Sequence, residues 1–311
     1  MVGDQDHGAF LDRDRDPLRP RLRALLPRLH LLPPLNEQLD QWAEWLVRTR
    51  FAGWPDEEVA AALEQLAQKR DGVLDAAGLE PGAAVADVGA GTGLLTLGAV
   101  ERVGPDGDVI ALDVSVDALD ELRANTAAPN ISYLVGQADV LPLRDDSVDA
   151  VVTRSVLIYV DDKAEAAREF SRVLRSGGRV SLFEPINRRN LLLTRSVDVS
   201  PLGDLGDRLR TWNEAFYEHT DDPMLNFDES DLERFFTDAG LADVHVELGA
   251  DEHQIPGERY LNQVGAPGRP TLLERWHDEF AADDVERLAA FVTERMIPAR
   301  FPYAFLAARK P

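Results

Sequence analysis

The sequence predicts an α/β domain with a doubly wound, mostly parallel sheet, and three observations carry that prediction. Short apolar runs at residues 84–88, 108–113, 131–135, 149–153 and 179–184 alternate with stretches of helical spacing or turn residues. Strands covered by helices on both faces read as continuous apolar runs, and parallel neighbours need a right-handed crossover between them. Directly after the first run stand Gly89, Gly91 and Gly93, followed at once by Leu94, Leu95 and Leu97, the pattern of a strand, a tight turn and a helix start. Finally, Asp87, Asp113, Asp139, Arg154 and Glu184 fall where the runs end, and open α/β sheets bind ligands at the carboxyl ends of their strands.

The elements follow in order. Residues 1–16 mix Asp and Arg with few apolar anchors and read as a mobile tail. Residues 17–54 turn to Leu, Pro and Trp, and Leu39, Trp42, Ala43, Leu46 and Val47 recur at helical spacing after Pro33 and Pro34. This is a helical extension that either packs on the core or forms a lid over a pocket. The main domain is expected over 55–311. It opens with a helix over 56–77, started by Pro55 and the acids Asp56, Glu57 and Glu58, with Val59, Leu63, Leu66, Val73 and Leu74 on one face and Gly78 and Pro81 at its end.

After the glycine turn a helix runs over 94–103, and Gly104, Pro105 and Gly107 lead into the strand 108–113. Ser115 caps a helix over 116–125, strands follow at 131–135 and 149–153, a helix over 163–175 stops at Gly177 and Gly178, and 179–184 is a fifth strand. Periodicity breaks over 187–230, where Pro201, Gly203, Gly206 and Pro223 accompany Trp212, Phe216, Tyr217 and His219. An insertion of that size on the ligand side of a sheet is expected to be a cover or pocket wall. A helix at 231–239, a strand at 242–248, a helical insertion within 268–300 and a last strand at 303–308 complete the reading.

The chemistry starts from the glycine turn, because a helix N-terminus and a backbone without Cβ atoms form a seat for a nucleotide-like ligand. A dinucleotide fingerprint fails in both frames, ending at Leu94 or Thr96, and no Gly-Lys-Ser/Thr follows for a phosphate loop. Asp87, just before the turn, opposes a pyrophosphate but suits a ligand with ammonium and sulfonium charges. Asp113, at the tip of the second strand, is placed to accept hydrogen bonds from ribose hydroxyls.

These residues resemble motif I, D-x-G-x-G-x-G, of class I S-adenosylmethionine (SAM) methyltransferases. The matching block spans about Val73 to Pro185 and is most similar to the small-molecule branch that includes the ubiquinone/menaquinone biosynthesis methyltransferases. The resemblance implies a Rossmann-like, seven-stranded sheet with one antiparallel strand, SAM as cofactor and S-adenosylhomocysteine as product. It implies that Asp87 and the backbone of Gly89 and Gly91 hold the methionine moiety, with Gly93 also among the cofactor-binding residues. Asp113 would take the ribose, Val114 would pack on adenine, Asp139 and Val140 would read its edge, and Arg154 would line the methionine end.

Composition narrows the acceptor. A formal net charge of −23 argues against nucleic acid or an anionic membrane as partner. The absence of cysteine excludes disulfides, thiolate metal sites and arsenite methylation through thiolates. The polar, acidic start is unlike a secretory signal and no apolar run suits a membrane span, so a cytoplasmic location is expected. Lysine occurs only at Lys69, Lys163 and Lys310, which fits GC-rich coding or a salt-adapted host. No Asn/Asp-Pro-Pro-Tyr/Phe follows the fourth strand, where TRSVLI stands instead, and the double-glutamate loop of protein arginine methyltransferases is missing. What remains is transfer to an oxygen, nitrogen or carbon nucleophile of a small molecule. The alternative is a SAM-binding enzyme of this fold that does not methylate, while an NAD-dependent oxidoreductase is disfavoured by the failed fingerprint. Methyl transfer is an in-line displacement that needs at most one base. Tyr159, Glu184, His219 and His253 are candidates to touch substrate or serve as that base, His245 reads as structural, and no base is assigned. The histidines lack metal-ligand spacing. A homo-oligomer is compatible with all of this.

Overall fold

The computed structural model describes residues 39–218 and 221–311. The expected tail at 1–16, the extension up to residue 38 with Pro33 and Pro34, and His219 lie outside the described residues.

The strands are β1 (Ala84–Val88), β2 (Asp108–Asp113), β3 (Ile131–Val135), β4 (Val148–Arg154), β5 (Leu174–Pro185), β6 (Ala242–Pro256) and β7 (Met296–Arg309). They form a seven-stranded sheet in the order β3-β2-β1-β4-β5-β7-β6. The first five are parallel, and β7 runs antiparallel to both β5 and β6. This is the Rossmann-like sheet with one reversed strand. Every residue of β1 is buried, as a central strand covered on both faces requires.

Alternate residues feed opposite cores. Ala86, Val88, Ile110 and Leu112 face Phe170 and Phe236, from helices α5 (Lys163–Val173) and α8 (Glu229–Asp238). Val85 and Val109 face Val73, Leu74, Leu95 and Ala99, from α2 (Asp56–Ala77) and α3 (Leu94–Val103). The helix α4 (Val116–Ala124), capped by the Ser115 hydroxyl, packs Leu119 and Leu122 on Ala111 and Ile131. Period-two burial along the strands thus sets which helix lies on which face.

Ahead of α2, a short helix α1 (Gln41–Glu44) runs into a single π-turn over Trp45–Thr49. Asp40 caps it, accepting from the N–H groups of Trp42 and Ala43 at 2.9 and 3.0 Å. The same residue accepts from the Ser115 hydroxyl at 2.7 Å and donates its N–H to the Asp117 carboxylate at 2.6 Å. One aspartate therefore ties the extension to the start of α4, beside the tip of β2.

Two expectations are corrected, and one packing arrangement was not anticipated. The helix expected over 163–175 ends at Val173, and β5 starts at Leu174 and carries Gly177 and Gly178 within it. The insertion expected to be helical over 268–300 is helical only to Thr293, because Met296 already belongs to β7. Pro298 and Pro302 disguise that strand in the sequence, since a proline lacks the ladder donor. There β6 and β7 pair beyond the end of β5, from Ala250↔Pro302 to Pro256↔Met296. Finally, the segments after β5 and after β6 are one body. Helices α6 (Leu193–Ser196) and α7 (Asp204–Phe216) share an apolar core with α9 (Gly257–Asn262), α10 (Leu272–Glu279) and α11 (Ala282–Thr293), centred on Leu209, Trp276, Leu288 and Val292.

Candidate functional site

A cavity of about 640 Å³ lies at the carboxyl ends of the parallel strands, roofed by α1, the π-turn and part of α2. That volume is within the range of small-molecule and cofactor sites, about 300–1,000 Å³. Its lining divides into an acidic end and a basic, aromatic end.

The acidic end is built by the turns after β1, β2 and β3. Gly89, Gly91 and Gly93 all have positive φ, at 73°, 51° and 97°, the region in which only glycine is unstrained. A Cβ on Gly89 would lie 2.1 Å from a methyl carbon of Val156, and one on Gly93 would lie 2.2 Å from a methyl carbon of Leu122. Gly89 and Gly91 line the cavity. Gly93 instead lets α3 start against α4. The Gly91 N–H donates to Asp113 Oδ2 at 2.7 Å and the Ser115 N–H donates to Oδ1 at 2.9 Å. Burial and the nearby Asp40 charge push the Asp113 carboxyl upward, against the pull of those N–H donors. Asp113, Val114, Gln137 and Asp139 line the cavity, and Val114 is 47% exposed.

Two expected residues at this end sit elsewhere. Asp87 does not line the cavity, because it is buried under the glycine turn, where the Thr96 hydroxyl donates to its Oδ2 at 2.5 Å. Burial foremost pushes its pKa up to about 7, and Oδ1 has no hydrogen-bond partner. Val140 is 67% exposed and lies off the lining, with its N–H directed to the Gln137 carbonyl at 3.3 Å.

The basic end gathers Arg154 from β4, Tyr159 from the turn after it, Lys69 from α2 and Arg50 from the segment before α2, with Trp42, Trp45, Phe51 and Trp54 as walls. The Trp42 and Tyr159 rings meet edge-on at 4.8 Å. Burial pushes the Tyr159 phenol up to about 12, so it is a hydrogen-bond donor at neutral pH. Burial, helped by the neighbouring Arg50 charge, lowers Arg154 to about 10. Ser155, next to Arg154, holds a left-handed backbone at φ 55° and lines the cavity. Such strain in a non-glycine residue clusters at functional sites.

Glu184 is not a lining residue. It is wholly buried and accepts from the N–H groups of Val156, Leu157 and Ile158 at 2.8, 2.9 and 3.2 Å, pinning the turn that carries Tyr159. Burial raises its pKa to about 7 against those donors. His253 lies on β6, its ring 6.0 Å from Phe301 and away from the cavity lining, and His245 is exposed on the same strand. No cluster of potential metal ligands occurs among the described residues, and no described helix is long and apolar enough to cross a membrane. Sequence reading missed Arg50, Lys69, Gln137 and Ser155. The signal available for the first was the crowding of Trp42, Trp45, Phe51 and Trp54 around Arg48 and Arg50.

A family described as "Methyltransferase domain" matches residues 86–182. The chain is 31% identical over 175 residues to a ubiquinone/menaquinone biosynthesis C-methyltransferase, UbiE, of Hahella chejuensis, covering 54% of this chain and 70% of that protein. It is 48% identical over 98 residues to an uncharacterized methyltransferase of Mycobacterium tuberculosis, covering 32% of this chain and 38% of the other. Among solved structures, the YcgJ protein of Bacillus subtilis superposes with a TM-score of 0.53 at 17% identity, over 78% of this chain and 98% of that one, a likeness of fold.

Proposed function

This chain belongs to the class I SAM-dependent methyltransferases, and from that premise we propose that it methylates an oxygen, nitrogen or carbon nucleophile of a small molecule held at the basic, aromatic end of the cavity. The residues present fit the cofactor. The turn at Gly89 and Gly91 bares backbone beside the cavity, and a side chain on Gly89 would be blocked by Val156. Asp113 already accepts one N–H on each oxygen, and a carboxylate oxygen has a second lone pair for a ribose hydroxyl. Val114 offers an apolar surface for adenine and Asp139 an acceptor at its edge. Arg154 lies toward the methionine end. Asp87 acts from beneath, by holding Thr96 and the turn in shape.

SAM supplies an electrophilic methyl group on a cationic sulfur and leaves as S-adenosylhomocysteine. The protein's contribution is alignment and exclusion of water, which together supply on the order of 7–11 kcal/mol in well-oriented reactions. Tyr159, protonated at neutral pH, donates a hydrogen bond to an acceptor oxygen and positions it. Its position is fixed by Glu184 through the three N–H groups of the turn. The segment from Leu39 to Trp54 serves as the lid, tied down by Asp40.

The observation that carries this reading is the continuity of a glycine-and-acid cradle with an aromatic pocket inside one enclosure. Incubation with methyl-labelled SAM and fractionated small-molecule extracts tests it, with label expected in a low-mass product. Failure of S-adenosylhomocysteine to bind in calorimetry would remove the reading altogether.

A further inference from the structure

Two guanidiniums at the basic end stand apart from the ion pairing found elsewhere among the described residues. Elsewhere the acid excess of this chain is put to use: Arg172 pairs with Glu169 and Asp145, Arg102 with Asp71 and Asp75, and Arg175 with Asp149. Lys69, in the cavity wall, pairs with Asp251. Arg50 and Arg154 form no ion pair among the described residues. The Arg154 Nε is enclosed without a hydrogen-bond partner, and its guanidinium stands 5.6 Å from the Phe183 ring. The Arg50 guanidinium stands 5.2 Å from the rings of both Trp45 and Phe51. Glu184 and Asp251 are close enough to attract Arg154, yet the Glu184 oxygens accept three backbone N–H groups and Asp251 pairs with Lys69.

A cation withdrawn from water is costly unless it meets an anion, and guanidinium is shaped for the two oxygens of a carboxylate or phosphate. In a chain with 56 acids and 33 bases, two neighbouring arginines that pair with no described acid in one cavity are complementary to an anionic ligand. The methionine part of SAM brings a single carboxylate, enough for one guanidinium fork. We infer that the acceptor is itself an oxyanion, a carboxylate or phosphate on a flat apolar body, bound by the second arginine of the Arg50–Arg154 pair between the Trp42, Trp45 and Phe51 rings. The inference rests on the methyltransferase reading and specifies its substrate class.

The test uses the full chain saturated with S-adenosylhomocysteine, titrated calorimetrically with 4-hydroxybenzoate, phenyl phosphate and 4-hydroxybenzamide. At least one of the two anions is expected to bind about 10-fold or more tightly than the neutral amide, the size of a charge-assisted hydrogen bond, and which one wins separates carboxylate from phosphate. Arg50→Gln or Arg154→Gln is expected to bring the anion down to the amide level, with Arg→Lys at the same position restoring part of the preference. Thermal melting verifies that each variant is folded. Equal binding of acid and amide, binding of none of the three, or a preference untouched by both substitutions overturns the inference. If S-adenosylhomocysteine does not bind the wild-type protein, the methyltransferase reading itself has failed instead.

Discussion

At the acidic end of the cavity, Gly89, Gly91, Asp113 and Val114 come from two consecutive strand-to-helix connections, and backbone N–H groups of Gly91 and Ser115 hold the Asp113 carboxylate. The basic end assembles Arg50, Lys69 and Arg154 from three segments separated in the chain, and its walls are aromatic rings rather than backbone. The first end is a backbone device, intolerant of any added atom. The second is a side-chain device, in which charge and ring placement decide what is held. The difference implies that cofactor binding and acceptor choice can be altered separately.

The largest separation is expected from Gly89→Val. Its Cβ would overlap Val156 in a backbone at φ 73°, so calorimetry should detect no S-adenosylhomocysteine binding, together with a stability loss of about 1–3 kcal/mol. Retained affinity would mean that the turn is not the cofactor seat. Next, Asp113→Ala should weaken S-adenosylhomocysteine on the order of 100-fold, about 3 kcal/mol for hydrogen bonds to a charged group. An unchanged Kd would show that the acidic end does not hold ribose.

Tyr159→Phe probes the other end and should leave cofactor affinity unchanged while lowering kcat/KM about 10-fold, the value of one hydrogen bond. A loss of cofactor affinity of the same size would erase the division between the two ends. A pH-dependent effect, on stability and not on transfer, is expected at Asp87→Asn. The folded-state pKa of Asp87 is raised to about 7, against about 4 in an unfolded chain. Between those values the folded state binds the proton more tightly, so the wild-type contribution is full below pH 4 and is lost as pH rises through 7. Asparagine mimics the protonated form, so the variant should gain stability relative to wild type across that window, and a gap independent of pH in thermal melts would refute the assignment. Least of all, His253→Ala on β6, away from the cavity, should change stability by about 0.5 kcal/mol or less and leave transfer unaffected, as an activity assay and a melting curve would verify.

Much of the fold was legible because strands buried on both faces advertise themselves as apolar runs, and a glycine triplet after such a run has few other uses. Where the reading missed, the cause was local. Pro298 and Pro302 hid the first half of β7, since a proline argues against a strand until its partner is known. Asp87 and Glu184 were read as facing a ligand because both stand at strand ends. Their side chains turn inward, one to Thr96 and the other to the N–H groups of the turn after β4. Residue type and position along a strand are visible in one dimension, whereas the direction in which a carboxylate is satisfied depends on which donor the neighbouring turn brings close.

By itself the sequence determined the class of sheet, the glycine turn and the acid at the tip of β2, because each depends on residues within a few positions of one another and on a period set by backbone geometry. Only the tertiary structure decided that Arg50 and Arg154 share a cavity, that the segments around residues 204–216 and 272–293 pack as one body, and that Asp40 fastens the extension to α4. Those outcomes depend on apolar surfaces finding each other across the fold, and no spacing along the chain records which surfaces will meet.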